Sequence, residues 1–370
     1  MGNDWKSFKK IRKFAVGCTA SVLLVSSLAA CGNSETASTD NNQSLSSITK
    51  AAKKEGKISS VGMPDAWANW KDTWNDITKK YGIKHTDTDM SSAEELAKFQ
   101  TPKSDSSADI GDVGLNFGVM AKDKKLTIPY KTTTWDSIPS WAKDKDGYYA
   151  ASYTGTLAFL TDTKNVKNPP KTWDDLLNGD YKISIGDVTK GAMSQMTVLA
   201  AALANGGSAS DIQPGIDFFK KIAKQGRLST IDSSIPNLEK GEVDVAVIWD
   251  FLGLGYRDQI DKNRFTVSIP EDKSLMFGYS SIINKNAAHP NAAKLAREYI
   301  LSDEGQTNLA KGYARPIRSD VKLPASIKDK LLPEDEYKNV VPLEDVATWT
   351  KTAETLPQKW QQEVLANAKQ

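Results

Sequence analysis

Residues 58–99 read ISSVGMPDAWANWKDTWNDITKKYGIKHTDTDMSSAEELAKF, and the fold class follows from this stretch. Ser92 with Glu95 matches the capping box of a helix that continues to residue 99. A strand is predicted at 58–61, and a helix follows it that carries Trp70, Trp74, Ile77 and Tyr81 at helical spacing. An extended run from Ile83, the helix to Phe99 and a strand at 108–113 continue the alternation. Strands that alternate with helices through short links are typical of a parallel sheet covered by helices.

A second alternation follows the stretch YYAASYTGTLAFL at residues 148–160, which we interpret as a strand that crosses between two lobes. Thr172 and Asp175 begin the next helix, and the apolar run VAVIW ending at Trp249 predicts a buried strand. Residues 279–283 are interpreted as the return crossing. Further strands are predicted at 182–185 and 265–269, and helices at 192–204, 211–225, 291–301 and 303–311, before a mainly helical tail. The predicted lobes are residues 48–152 plus 279–318 (lobe I) and 153–278 plus 319–370 (lobe II).

The amino terminus has the order of a secretory signal peptide: an apolar stretch at 14–30 follows the basic residues Lys6, Lys9, Lys10, Arg12 and Lys13. Ala29 and Ala30 before Cys31 resemble the lipobox of bacterial lipoproteins, in which the chain is cut before a cysteine that carries lipid. We therefore predict a signal peptide at 1–30 and lipidation of Cys31. The polar residues that follow predict a flexible tether at 31–47, which would hold the protein on the outer face of the cytoplasmic membrane.

Composition excludes several classes of function. Removal of residues 1–30 takes away five basic residues and Asp4, which lowers the formal net charge from +2 to about −2. A nearly neutral chain without a basic block gives no footprint for nucleic acid. Cys18 and Cys31 are the two cysteines. The first would be lost with the signal peptide and the second would carry lipid, so the folded part is expected to hold no disulfide. No cofactor is implied.

An exported enzyme is the main rival class. The two histidines, His85 and His289, lie in no zinc-binding spacing, and the chain contains neither a GxSxG elbow nor a Walker loop. A hydrolase that uses a carboxylate pair stays open as an alternative. A surface adhesin is a third interpretation, which requires neither a cleft nor stabilisation by a ligand.

Three stretches resemble one known family, in the expected order along residues 58–318. They are TWDDLLNGDYKISIGD at 172–187, LEKGEVDVAVIWD at 238–250 and HPNAAKLAREYILSDEGQ at 289–306. The chain thereby resembles the extracellular solute-binding proteins of ABC importers, in the branch of ferric-ion, thiamine, polyamine and phosphonate binders. One departure is Ile183, where the family usually has glycine.

The resemblance implies a type 2 periplasmic-binding-protein fold. Two α/β lobes, each a mostly parallel sheet covered by helices, would be joined by hinge strands and would hold a small solute in the cleft between them. It also implies a monomeric binding protein that performs no chemistry and delivers its solute to a membrane permease. Open parallel sheets bind ligands beyond the carboxyl ends of their strands, which independently predicts the same cleft.

The ends of the predicted strands supply the candidate ligand contacts, within residues 63–67, 112–117, 186–193 and 249–252. Carboxylates beside aromatic rings suit an amine, which favours a polyamine-like solute. By resemblance, polyamine binders use an aromatic at the position of Trp249 and an acid near that of Asp187, although a further acid of theirs is replaced here by Gly278-Tyr279-Ser280. The candidates are Asp65, Trp67, Asp112, Asp187, Trp249 and Asp250, with Tyr153 on the crossing strand.

An anionic solute is the alternative. The start of the helix from Ala192 offers unpaired amides, and Arg315 could supply a guanidinium fork, which suits a phosphonate or a sugar phosphate. An aminophosphonate would use both halves of the site. A ferric ion is less suited, because adjacent Tyr148 and Tyr149 point to opposite faces of a strand. Structural roles also remain open: capping or turns for Asp65, Asp112 and Asp187, and core packing for Trp249.

Overall fold

The computed structural model describes residues 43–343 and 345–368. The predicted signal peptide, Cys31 and residues 31–42 of the predicted tether lie outside the described residues. The α-helices are α1 Leu45–Glu55, α2 Trp70–Tyr81, α3 Ser92–Phe99, α4 Leu115–Asp123, α5 Trp173–Asn178, α6 Ala192–Ala204, α7 Gln213–Lys224, α8 Ile235–Lys240, α9 Asp250–Ile260, α10 Pro290–Ile300, α11 Asp303–Lys311, α12 Ala325–Lys328 and α13 Val346–Glu363. The strands are β1 Lys57–Val61, β2 Lys84–Thr88, β3 Ile110–Gly114, β4 Tyr149–Asp162, β5 Ile183–Ser184, β6 Leu228–Ser229, β7 Val245–Trp249, β8 Phe265–Ser268, β9 Ser274–Ile283, β10 Arg315–Pro316 and β11 Val340–Pro342.

The first parallel group consists of β1, β2 and β3. β1 pairs in parallel with both neighbours, and this confirms the alternation predicted from residues 58–113. α1 begins at Leu45, within the predicted tether, because Ser44 caps it by accepting from the backbone N of Ser47 at 3.3 Å. Residues 45–47 therefore belong to a helix and not to the predicted tether. No helix in the described part of the chain is long and apolar enough to cross a membrane.

Two long antiparallel strands connect this group to the rest of the chain. The first half of β4 pairs with β9, and its second half pairs with β7 and β8, which confirms β4 as a crossing strand. The return strand β9 starts at Ser274, before the predicted residue 279, because its first residues also pair with β11. The ladder between β4 and β9 shifts register between Ala151 and Tyr153, and the carbonyl of Ser152 accepts from Nε2 of Gln306 at 2.7 Å.

The second parallel group consists of β5, β6 and β7. α5 begins with the predicted capping box of Thr172 and Asp175, and α6 has the bounds that the sequence predicts. The strand order is β2-β1-β3-β9-β4-β7-β5-β6. The fold is thus the predicted mixed α/β arrangement, with two mostly parallel groups on either side of two crossing strands. The exact bounds of the lobes stay a prediction.

The carboxyl-terminal tail holds strand as well as helix. α13 packs against α4 and α7, and its Trp349 is fully buried. β10 pairs with β4 and β11 pairs with β9, so the tail adds two short strands that the sequence did not predict. Strands of two or three residues leave no detectable alternation, because a period of two needs more residues to be recognised.

Candidate functional site

A cavity of about 210 Å³ opens where loops of the two parallel groups meet. The first group contributes the loops after β1 and β2 together with β3, the second contributes the start of α6, and β9 contributes one side chain. The carboxyl ends of parallel strands are where such sheets bind ligands, so the cavity lies at the predicted edge. The lining residues are Gly62, Pro64, Trp67, Asp89, Met90, Ser91, Ser92, Glu95, Asp112, Gly191, Ala192, Met193, Ser194 and Tyr279.

Two buried carboxylates line this cavity. Glu95 in α3 is 1% exposed and Asp112 in β3 is 2% exposed, and Oε2 of Glu95 accepts from the backbone N of Asp112 at 2.9 Å. Burial raises the pKa of Glu95 well above its usual value, and the charge of Asp112 raises it further. Burial also raises the pKa of Asp112, against the opposing effect of the Tyr153 hydroxyl and the Trp70 indole. The pair therefore retains a proton more readily than exposed carboxylates do.

Two glycines leave room for the Glu95 carboxylate. A Cβ atom at position 62 would lie 2.3 Å from Oε1 of Glu95, and one at position 111 would lie 2.5 Å from Oε2. Gly62 also has φ of +70°, in the left-handed region that glycine enters without strain. A side chain at either position would displace the carboxylate from the cavity wall.

A hydrogen-bonded chain holds Asp112 in place. The Trp67 indole donates to the Tyr153 hydroxyl at 2.5 Å, and this hydroxyl donates to Oδ2 of Asp112 at 2.5 Å. Tyr153 also stacks on Tyr279, with ring centroids 5.7 Å apart, and Trp67 contacts the edges of Tyr279 and Phe251. The two crossing strands thus present an aromatic wall that contacts the cavity.

The starts of two helices also reach the cavity. Ser91 caps α3, with its backbone N donating to Oε2 of Glu94 at 2.9 Å, whereas Gly191 supplies no side-chain cap to α6. Amide groups at a helix start carry partial positive charge and attract anions. The lining residues, all within the described chain, include no lysine, arginine or histidine. Outside the lining, Nζ of Lys190 meets Oε1 of Glu94 at 3.0 Å, so an ion pair joins the start of α3 to the loop before α6.

Three of the sequence-predicted residues come together here. Trp67 and Asp112 line the cavity, and Tyr153 lies behind them, fully buried and bonded to both. Their arrangement matches the expectation that the ends of β1 and β3 meet at one edge. Direct contact between these side chains and a solute stays a prediction.

Trp249 and Asp250 are buried and do not line the cavity. Trp249 is fully buried, and its indole donates to the Tyr279 hydroxyl at 3.1 Å. Asp250 accepts from the backbone N of Thr156 at 2.9 Å and from the Tyr337 hydroxyl at 2.6 Å. Both residues support the crossing strands and the tail, because their polar atoms are engaged within the protein.

The other three predicted residues lie outside the lining. Asp65 is exposed in the turn after β1, and Asp187 is exposed in the loop before α6. Arg315 stacks its guanidinium on the Tyr337 ring at 4.0 Å from the centroid. At the start of α6, where the amides suit an anion, Gly191 and Ser194 line the cavity. The backbone N and hydroxyl of Thr189 instead donate to the Asp187 carboxylate, at 2.8 and 2.5 Å.

Three parts of the cavity lining were not predicted from the sequence: Glu95, Tyr279 and the loop 89–92. The loop follows β2, so the rule applied to the other strand ends would have found it. Glu95 was assigned to a capping box with Ser92, and this prediction is wrong by one residue, because Ser91 and Glu94 form the box. The shift moves Glu95 from the solvent-facing first turn onto the buried face of α3.

A ferric site has little support in this geometry. Tyr148 and Tyr149 lie outside the cavity lining, and the Tyr149 ring lies against Gly118. Within the described residues, no group of three or more His, Cys, Asp or Glu side chains is arranged to hold a metal ion. Any metal-dependent alternative would need donors of another kind.

Sequence comparison finds relatives among exported binding proteins. The model of a family described as bacterial extracellular solute-binding protein matches residues 105–341. A periplasmic protein of Salmonella typhimurium, provisionally named for binding 2-aminoethylphosphonate, is 25% identical over 273 residues, which are 69% of this chain and 73% of that protein. The sulfate-binding protein of the same organism is 25% identical over 181 residues, 46% of this chain, and the chain spans only 54% of its length.

Structural comparison supports the same architecture. The periplasmic binding protein AfuA of Actinobacillus pleuropneumoniae, solved with fructose-6-phosphate bound, superposes with a TM-score of 0.70 at 18% identity. The match covers 83% of this chain and 98% of AfuA. At this identity the likeness establishes the two-lobed fold but does not identify a solute for this chain.

Proposed function

We propose, since the chain belongs to the family of bacterial extracellular solute-binding proteins, that it captures a small solute carrying a phosphonate or phosphate ester group. The solute would bind in the cavity between the two parallel groups and leave it chemically unchanged. Delivery to a membrane permease, powered by a separate ATPase, would follow. We propose binding without catalysis, because the relatives described above are named as binding proteins.

The observation that carries this proposal is the meeting of two helix starts at one cavity. α3 and α6 both begin in its lining, and the α6 start has no side-chain cap. Backbone amides and serine hydroxyls can bind an anion without a basic residue, and Ser92 and Ser194 supply hydroxyls here. The names of the 2-aminoethylphosphonate and sulfate relatives are consistent with this chemistry.

Size and side-chain placement favour a small phosphonate over a polyamine. Cavities for drug-sized ligands measure roughly 300 to 1,000 Å³, whereas this one measures about 210 Å³. The two residues on which the polyamine interpretation depended, Trp249 and Asp187, do not line it. A compact solute with a single anionic group therefore suits the space better than an extended polyamine.

We expect 2-aminoethylphosphonate to stabilise the purified exported protein against heat. A solute at one hundred times its dissociation constant adds about 2.7 kcal/mol to the free energy of unfolding, because it binds only the folded state. Differential scanning fluorimetry with this compound, ethylphosphonate and putrescine, each titrated, measures the effect. Stabilisation by putrescine with none by either phosphonate would contradict the proposal and restore the polyamine interpretation.

We also infer that the protein is a monomeric lipoprotein, held by Cys31 on the outer face of the cytoplasmic membrane. Expression of the full chain in a bacterium that processes lipoproteins should leave the wild type in the membrane fraction. The Cys31→Ser variant is expected to be released, because it lacks the acceptor for lipid. Fractionation and the mass of the amino-terminal peptide measure this. Cys18→Ser is the control and should remain anchored; release of both variants, or of neither, would contradict the anchor.

A further inference from the structure

We propose that Glu95, assisted by Asp112, is the subsite for a positively charged ammonium group on the solute, and that binding expels a proton from this carboxylate pair. This inference rests on the proposed function and narrows the solute to the aminophosphonate class. The anionic group would face the helix starts, and the ammonium group would face the carboxylates.

The first argument is the absence of an internal counter-charge. The charged and titratable groups that face Glu95 are acids on every side: Asp87 at β2, Asp89 after it and Asp112 on β3, with the neutral Tyr279 hydroxyl from β9. Within the described chain, Lys190 is the nearby cation, and it is exposed and bound to Glu94. A buried carboxylate without a cation is unfavourable, so the empty site keeps a proton.

The second argument is that one oxygen of the Glu95 carboxylate, which lines the cavity, remains available. Oε2 of Glu95 accepts one backbone hydrogen bond, while Oε1 accepts none from the described residues and lies in the space left by Gly62. Oδ1 of Asp112 is buried and lacks a partner of ordinary hydrogen-bond geometry in the described chain, although the Trp70 indole is close enough to lower the Asp112 pKa. Oε1 of Glu95 is thus free to accept from an ammonium group, while the Asp112 carboxylate lies beside it and adds negative charge.

The third argument is the placement of opposite ends. Glu95 lies in the first turns of α3, so its carboxylate lines the same small cavity as the amides of Ser92 and of the α6 start. In a cavity of about 210 Å³, a zwitterion with two carbons between its charged groups can contact the helix starts and the Glu95 carboxylate together. An anion alone would instead be repelled by an ionised pair and would bind best while the pair holds its proton.

The sign of the pH dependence follows. The pKa of Glu95 is raised in the empty protein, so at low pH a proton competes with the ammonium group. The affinity for an aminophosphonate should therefore increase as pH rises toward the pKa of the empty site, with proton release on binding. The ammonium group lowers the second pKa of the phosphonate in 2-aminoethylphosphonate relative to ethylphosphonate, so the two probes titrate differently. Comparison of the wild type with Glu95→Gln, probe by probe, therefore isolates the carboxylate pair.

Isothermal titration calorimetry with the exported protein tests this, using 2-aminoethylphosphonate, ethylphosphonate and ethanolamine as probes. Measurements in two buffers of different ionisation enthalpy count the protons released. We expect the wild type to prefer 2-aminoethylphosphonate over ethylphosphonate by about 100-fold and to release a proton only with the amine. In Glu95→Gln we expect that preference and the proton release to disappear, with ethylphosphonate affinity kept within about threefold.

The controls separate the two proposals. Glu298→Gln removes a buried carboxylate outside the cavity lining and should leave the preference intact. Asp112→Asn offers a second test if Glu95→Gln folds poorly, since it should also reduce the preference. Equal affinity of the wild type for both phosphonates would contradict the ammonium subsite but would still support the proposal that the protein binds phosphonates. Binding of ethanolamine alone, lost in Glu95→Gln, supports the subsite and overturns the phosphonate; binding of no probe overturns both.

Discussion

Replacement of Arg297 by alanine is expected to lower the free energy of unfolding by about 3 to 5 kcal/mol. The guanidinium is fully buried and donates to the carbonyls of Tyr130 at 3.1 Å, Gly147 at 3.0 Å and Ser281 at 2.8 Å. Burial lowers the pKa of Arg297 to about 9, and in the described chain the guanidinium bonds to carbonyls and forms no ion pair with a carboxylate. Truncation would remove one hydrogen bond from each of these three carbonyls and leave a cavity beside β9, although the Gly147 carbonyl would still accept from the backbone N of Tyr130 at 2.9 Å.

Urea unfolding followed by circular dichroism measures this loss. Arg257→Ala is the matched control, because its guanidinium pairs with Asp258 at a partly exposed site, and it should change the free energy by less than about 1 kcal/mol. A similar small effect for Arg297→Ala would mean that water replaces the guanidinium. In that case the segment between α4 and β4 would be held by other contacts.

The Gly62→Ala variant is expected to lose solute affinity by more than about tenfold and to lose about 3 kcal/mol of stability. Part of the loss is backbone strain, because alanine at φ of +70° costs about 1 to 2 kcal/mol. The rest comes from the new methyl group, which would meet the Glu95 carboxylate at 2.3 Å and push it out of the cavity wall. The proposed ammonium subsite would then be distorted.

Gly82→Ala separates the two contributions. Gly82 has φ of +74°, but a Cβ there meets nothing within 4 Å, so only the strain should appear, with unchanged solute affinity. Thermal unfolding and calorimetry on both variants make the comparison. Equal behaviour of the two would show that the Glu95 carboxylate moves aside freely and that Gly62 matters for its backbone alone.

Much of the fold is predictable from local patterns. The crossing strand β4 is a long β-favouring run, and α6 has clear limits at Gly191 and Asn205, so both were found. Tyr153 illustrates the limit. The sequence assigned it to the crossing strand, but only the register of β4 against β9 brings its hydroxyl to Asp112. The contact depends on the pairing of strands that are distant in sequence, and the local spacing of apolar residues does not predict it.

The site was predicted less completely than the fold, because a shift of one residue in the predicted start of a helix changes which side chains face the cavity. A capping box at Ser92 and one at Ser91 look alike in sequence, yet they turn Glu95 in different directions. Trp249 ends a buried strand in either case, and sequence alone cannot distinguish a ring in the cavity from one that supports Tyr279. Tertiary packing decides both, because the side-chain direction is set by neighbours distant in sequence.

The ion pair between Lys190 and Glu94 joins the two parallel groups beside the cavity. Both side chains are about half exposed, so water and dissolved salt screen their attraction. We therefore expect this ion pair to contribute little to holding the two parallel groups together, so that a bound solute would supply most of the free energy of closure. Under the proposed function, we expect the closed arrangement to be sparsely populated without a solute, so that a permease would meet it mainly on loaded copies.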